Sequence, residues 1–430
     1  MIEFSEEEKN KINEFKNTVP MSFQMERELM GLCSYLYVNQ MSVSKYLDEF
    51  LKENVMPGET IKKNRSKVLL ETMRENIIKN IDVNPIAKNN DFPKNEKITA
   101  WVEESVKDDP LTQELIKNAD EVVFIKHYKD IFNAKGHDFK AEKYSRNFIV
   151  ARNTETLIYP GAPFCQSFGN ENFYYASCVK NCIYDCDYCF LQGMYPSGLS
   201  VYFVNLDDYF SELDRILKEK PVYLCVSYDT DLLALENRIH YVDKWISYSQ
   251  FNKNLKVEIR TKCGNNAFFS DYDLKVKSGF AEKCDNVIFG WTISPDFVAR
   301  HFEKGLPSTE ARINAAKSAI KAGFKVRLCF DPMIYHKDYK NSYRELFTRV
   351  FDEISPSDLL DVSVGVFRIS NNLLKNMRDV NPLSPVTCFP YITENGACHY
   401  GELSHEMVGF AANELKKYLP TEKIFIWDGN

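Results

Sequence analysis

Along residues 1–118 apolar side chains recur at helical spacing. Ser5-Glu6-Glu7-Glu8 opens a first helix with acids at its positive end. Residues 21–53 form a long amphipathic stretch with a break near Ser42. Pro57-Gly58 marks a turn, and residues 65–81 read as another helix. The span 84–95 is polar and holds two prolines, which makes it a loop. Helices are then predicted over 97–107 and, after Asp109-Pro110, over 111–119. No basic recognition face stands out among them, so they read as an accessory helical domain and not as a DNA-reading helix pair.

From Glu121 the period changes to that of strands. Residues 122–126 and 147–151 are short, β-branched and apolar. Strands over 173–177, 222–228, 256–262, 286–294, 325–330 and 360–367 then alternate with helices over 206–218, within 232–249, from the Ser308 cap to Lys321 before Gly323, and over 343–354. Six strand–helix units with apolar strands predict an α/β fold whose parallel sheet curls into a partial (β/α)6 barrel of the TIM type, with an added N-terminal helical domain. The expected segments are 1–118, a short α/β lead-in over 119–170, the partial barrel over 171–380, and an α/β tail over 381–430 that includes the apolar stretch 422–427.

Composition adds limits. At 44% hydrophobic and 27% charged, the 430 residues supply a sizeable core and enough charge for solubility. The net charge of −7 argues against a general polyanion-binding surface, though not against a local basic groove. The N-terminus is charged, and no apolar run reaches membrane-spanning length, so the expected setting is cytoplasmic with no membrane partner.

Of 12 cysteines, four crowd between Cys178 and Cys189. Scattered cysteines in a large reduced protein are mostly buried small apolar residues; a local cluster points to metal. Structural zinc usually pairs two separated Cys-x-x-Cys knuckles, and no second knuckle follows here. The run Cys182-x3-Cys186-x-Tyr188-Cys189 instead suits three irons of a cubic iron–sulfur cluster, with the fourth left open to a ligand. Cys178 is an alternative ligand by spacing alone. The loop follows the first strand of the predicted barrel, on the rim where parallel barrels place their chemistry.

That cysteine pattern after a first strand resembles the radical SAM enzymes, and further residues narrow the resemblance to the spore photoproduct lyase family. They are Tyr188-Cys189-Phe190-Leu191-Gln192, Arg260-Thr261-Lys262, Thr292-Ile293-Ser294, the run from His301 to Gly305, and the stretch from Ala315 to Gly323 leading to Asp331-Pro332 and Tyr335. The resemblance spans about residues 120–380. It implies a [4Fe-4S] cluster on Cys182, Cys186 and Cys189, S-adenosylmethionine held by Lys262 and Thr292 with Thr230 near another cofactor-contacting position, an external electron donor such as flavodoxin or ferredoxin, and repair of the spore thymine dimer in DNA. An ammonium and hydroxyls at strand ends suit a zwitterionic ligand.

The sequence also departs from that family. The position after the last cluster cysteine is Phe190, where the family has a tyrosine. Tyr228 stands where the family's hydrogen-donor cysteine is expected, and Tyr188 is kept. Cys225 lies three residues earlier, about 10 Å from the strand end and on the opposite face by pleat. Cys263, beside Lys262, is a candidate replacement donor; with Tyr188 and Tyr228 it completes the expected catalytic set. Residues 382–402 are rich in Pro, Cys and Tyr and carry little positive charge where the family has a basic segment. That leaves Arg300, Lys304, Lys325 and Arg327 as candidate phosphate contacts. Two further readings stand beside repair: a radical SAM enzyme acting on a peptide, cofactor precursor or RNA, and a non-catalytic metal-binding interaction protein.

Overall fold

The structure, a computed structural model, describes residues 2–84, 97–161 and 165–427, so the loop expected over 84–95 lies, Asn84 apart, outside the described residues. Packing divides the chain into two units. One joins the N-terminal helices with Ile334–Tyr339 and Arg368–Glu402; the other holds the remaining described residues from 97 onward.

The second unit contains the two larger sheets. Thr99–Glu103 (β1), Glu121–Ile125 (β2), Phe148–Ala151 (β3), Val179–Lys180 (β6) and Ser200–Phe203 (β8) form a five-stranded sheet in the order β2-β1-β3-β8-β6. The helix predicted over 97–107 is therefore wrong. The β-branched and aromatic run Ile98-Thr99-Ala100-Trp101-Val102 pairs in parallel with both β2 and β3, and that long-range pairing overrides the charged flanks that suggested helix. The predicted helix that follows is present, with Asp109 accepting from Leu111 N at 2.8 Å and Pro110 at its first position.

The larger sheet has eight strands. Ile158–Pro160 (β4) runs antiparallel to Phe173–Ala176 (β5). Beyond it Val222–Cys225 (β9), Leu255–Thr261 (β10), Val287–Thr292 (β11), Lys325–Met333 (β13), Leu359–Val366 (β14) and Ile424–Trp427 (β18) follow in sequence order, each parallel to the one before. All of the parallel strands thus end on one edge of the sheet. Their residues are buried almost without alternation, as expected of parallel strands covered on both faces. On one face Phe269, Phe289, Trp291 and Phe324 interlock at ring separations of 5.0–6.0 Å. Each such buried aromatic contributes about 1.5–3 kcal/mol. Asp185–Cys186 (β7) and Glu303–Lys304 (β12) form a separate antiparallel pair.

In the first unit, Glu6–Thr18 (α1), Phe23–Val38 (α2), Val43–Asn54 (α3) and Lys63–Asn80 (α4) pack through Phe15, Leu29, Leu32, Leu47, Leu69 and Met73. The expected break at Ser42 is real: its hydroxyl accepts from Lys45 N and starts α3. Ile369–Ser370 (β15), Ile392–Glu394 (β16) and Ala397–His399 (β17) form a small antiparallel sheet in the same unit.

Candidate active site

The cluster, cofactor and catalytic residues expected from the sequence fall at the carboxyl edge of the larger sheet. The cysteine loop follows β5, Tyr228 and Thr230 follow β9, Lys262 and Cys263 follow β10, and Thr292 ends β11. The loop is held from several sides. Asn181 adopts a left-handed backbone (φ 66°), and its amide donates to the carbonyls of Ser197 and Leu199, both at 2.8 Å. Asp185 accepts from Lys140 at 2.6 Å and from Tyr144 at 2.7 Å. Gln192 donates to Cys186 O at 2.8 Å, and Asp187 N donates to Phe302 O at 2.8 Å beside the β7–β12 pair.

Cys182, Cys186 and Cys189 face one another closely enough to act on each other's ionisation. The Cys186 thiol is pushed well up by burial, Lys262 opposes that, and Cys189 and Cys182 add to it. Cys182 is raised to about 12 by burial first and then by Asp231. Cys178 points elsewhere: it is buried against Trp245, which removes it as a ligand alternative. Among the described residues no three Cys, His, Asp or Glu side chains converge on a single-ion site.

Lys262 is the cation of this group. Its backbone N–H donates to Asp231 at 2.7 Å, and its ammonium lies 5.5 Å from the centre of the Tyr188 ring. Burial alone would lower its pKa, yet Cys186, Glu303 and Cys189 reverse that and hold it raised. Asp231, the N-cap of helix Leu232–Ile239, also accepts from Thr261 at 2.8 Å; burial raises its carboxyl. The buried Thr230 hydroxyl has no hydrogen-bond partner among the described residues, and neither has Asp229 Oδ1.

Sequence reasoning missed the hub beneath this group. Glu303 accepts from Tyr188, from Ser294 at 2.7 Å and from Arg312, all four residues being buried. Burial would raise the Glu303 carboxyl, but Arg312, Lys262 and the Tyr188 hydroxyl hold it below its ordinary range. Glu303 and Ser294 lie in runs that carried the family resemblance, but nothing in the pattern signalled that they meet; Arg312 sits on helix Thr309–Lys321 with no cue beyond its charge.

The Tyr228 ring packs at a tilt against Tyr175 (4.6 Å between ring centres) and Phe190 (5.5 Å), and its hydroxyl accepts from the Cys165 thiol at 2.9 Å. Cys225 and Tyr228, expected on opposite faces, share one apolar cluster, because β9 ends at Cys225 and the pleat does not continue to Tyr228. Cys263 is buried and bonds to Tyr184 of the cysteine loop. Two of the candidate phosphate contacts are corrected. Arg327 is buried, bonding to Asp361 and to Glu258 at 2.8 Å, and Lys325 opens β13 at the sheet edge opposite the site. Arg300 is exposed and Lys304 half-buried.

A parallel α/β sheet that gathers three cysteines, a raised lysine and a buried carboxylate hub at its carboxyl edge places the chain in a class whose site is built on strand ends. Residues 101–379 match the family description "Spore photoproduct lyase". The chain belongs to that family. It is 25% identical over 190 residues to the spore photoproduct lyase of a Geobacillus species, covering 43% of this chain and 53% of that protein. With the Bacillus subtilis protein it shares 25% over 185 residues, 42% of this chain and 51% of that one. It thus spans about half the length of these curated relatives. A solved spore photoproduct lyase complexed with dinucleoside spore photoproduct superposes with a TM-score of 0.63 at 16% identity, covering 77% of this chain and 98% of the other. A variant with bound AdoMet and the same dinucleoside gives 0.62 at 18%, covering 76% and 97%. At such identities the likeness is one of fold.

Proposed function

We propose that this chain is a radical SAM lyase that repairs the spore photoproduct, the thymine dimer its solved relatives bind. The observation that carries the reading is the meeting of Cys182, Cys186, Cys189 and Lys262 at one sheet edge in a member of this family. The donor set fits a cubic cluster, in which each thiolate binds a different iron and the sulfurs stand wider apart than around one ion. Cys182, Cys186 and Cys189 would hold such a cluster, which with S-adenosylmethionine would supply the electron for reductive cleavage of that cofactor. Lys262 would neutralise the cofactor's carboxylate, and Thr292 and Thr230 would orient it by their hydroxyls. Tyr188, bonded to Glu303 and with Lys262 5.5 Å from its ring centre, would stand beside the cofactor. Repair takes a hydrogen from the dihydrothymine ring and breaks the bond between the two bases, and a hydrogen atom must then return to the thymine methyl carbon. The sheet, in this reading, curls into a partial (β/α)6 barrel, as its seven parallel strands in sequence order support.

Among the described residues no helix is long and apolar enough to cross a membrane, and a cytoplasmic setting with a flavodoxin- or ferredoxin-like donor fits the proposal. The test is anaerobic reconstitution, reduction, and incubation with dinucleoside spore photoproduct. Both 5′-deoxyadenosine and thymine should form. Cluster without 5′-deoxyadenosine would sink the enzyme reading, and 5′-deoxyadenosine without thymine would sink the repair assignment. The second outcome would favour the reading in which the same radical acts on a different substrate, which the burial of Arg327 in ion pairs also favours.

A further inference from the structure

The repair reaction needs a hydrogen atom at its last step, and the position expected to hold a donor thiol carries Tyr228. Three other thiols lie within reach of that sheet edge, and the structure separates them. Cys225 is fully buried within β9. Cys263 is buried and bonded to Tyr184 of the cysteine loop. Cys165 alone of the three is half-buried, and its thiol meets the Tyr228 hydroxyl at 2.9 Å. The Tyr228 ring in turn packs at a tilt against Phe190, the residue directly after Cys189. A chain of contacts therefore runs from the cysteine loop through Phe190 and Tyr228 to a thiol contributed by the segment before β5.

Resting on the repair reading, we propose that Cys165 is the hydrogen-atom donor of this enzyme and that Tyr228 restores it. The Cys165 S–H bond breaks and a C–H bond forms at the thymine methyl carbon, leaving a thiyl radical on Cys165. Across the 2.9 Å contact the Tyr228 O–H bond breaks and the S–H bond re-forms, leaving a tyrosyl radical. One electron from the one-electron reductant that also serves the cluster, and one proton from solvent, return Tyr228 to the phenol. Relative to the family pattern the tyrosine occupies the strand end where the donor thiol is expected, and the thiol comes from the segment before β5. The Tyr228 hydroxyl, raised by burial and by Cys165, stays protonated and able to give a hydrogen atom.

The test uses the reconstituted full chain and dinucleoside spore photoproduct in D2O, where thiol and phenol hydrogens exchange with solvent. The unaltered chain should place one deuterium in the new thymine methyl group. In Cys165→Ala, and in the size-matched Cys165→Ser, thymine formed per 5′-deoxyadenosine should fall at least about tenfold, a ratio that corrects for misfolded or unloaded protein. Tyr228→Phe should make thymine in a first turnover and then stall. A readout without turnover comes from the unreduced protein with S-adenosylmethionine: the dinucleoside should slow alkylation of Cys165, mapped by peptide mass spectrometry. An unchanged thymine ratio in both Cys165 variants, a product without deuterium, or an unprotected Cys165 would overturn the donor assignment alone. No thymine from the unaltered chain would overturn the repair reading and this assignment together.

Discussion

Replacing Arg312 by methionine tests the electrostatic hub under the cysteine loop. Arg312 and Glu303 are both fully buried, and Arg312 donates to Glu303 Oε2 while Ser294 and Tyr188 serve Oε1. Methionine fills most of the volume, so the loss is chiefly of charge. Removing one partner of a buried ion pair costs about 3–5 kcal/mol, because the other charge is left uncompensated. Lys262 still attracts Glu303 and two hydrogen bonds remain, which places this case near the lower end, about 3 kcal/mol. All four tryptophans, Trp101, Trp245, Trp291 and Trp427, lie in the sheet unit, so their fluorescence in urea reports on it selectively. With an m-value of about 3 kcal/mol/M the midpoint should fall by about 1 M at pH 7. The pH dependence carries a second sign. In the unaltered chain the Glu303 carboxyl is depressed, so its stabilisation is present above the ordinary carboxylate range and is lost as pH falls through the depressed value. In the variant burial dominates and the carboxyl rises, so the variant weakens as pH climbs from 5 to 7 and the gap between the two proteins widens. A midpoint shift under about 0.3 M at pH 7, or a gap that narrows with rising pH, would refute the reasoning.

Lys262→Met should weaken S-adenosylmethionine binding to the reconstituted protein by about 2–3 kcal/mol, measured by calorimetry, with Lys262→Arg losing less. Thr230→Val removes a buried hydroxyl that has no partner among the described residues; without cofactor the variant should be as stable as the parent or about 1 kcal/mol more so, while cofactor binding weakens. Both changes would be visible in one pair of melting curves, with and without S-adenosylmethionine. Glu236, raised to about 7 by burial although it accepts from Val242 N and Asp243 N, binds a proton in the folded state that the unfolded chain releases near 4.5. Stability of the sheet unit should therefore decline between about pH 4.5 and 7 from this group, and Glu236→Gln should flatten that part of the urea-midpoint profile.

The strand series from Phe173 to Val366 was legible because buried parallel strands leave unbroken β-branched runs, and the cysteine loop because three thiols in eight residues have few bland explanations. Residues 99–103 were misread because a five-residue strand flanked by acids and lysine carries the same local pattern as a short amphipathic helix, and only β2 and β3 decide it. The bond between Glu303 and Tyr188 was invisible for a related reason: each lies in its own local motif, and no periodicity links them. Cys165 escaped notice because a single cysteine in an irregular segment looks like any scattered one until its neighbour is known. Arg327 looked like a surface charge because its strand offers no sign of the two carboxylates across from it.

The short β7–β12 pair carries a consequence for how the protein acquires its metal. Tyr188 and Glu303 are 115 residues apart in sequence, and β7 meets β12 across a similar interval, so this brace on the cysteine loop forms only once the chain through β12 is in place. Closing so long a loop is entropically costly and pays back only when the intervening strands pack. On the ribosome the three cysteines emerge well before the segment that braces them. In the proposed reading the cradle for the cluster is finished only when Glu303 reaches the cysteine loop, and a nascent chain offers its three thiols without that brace.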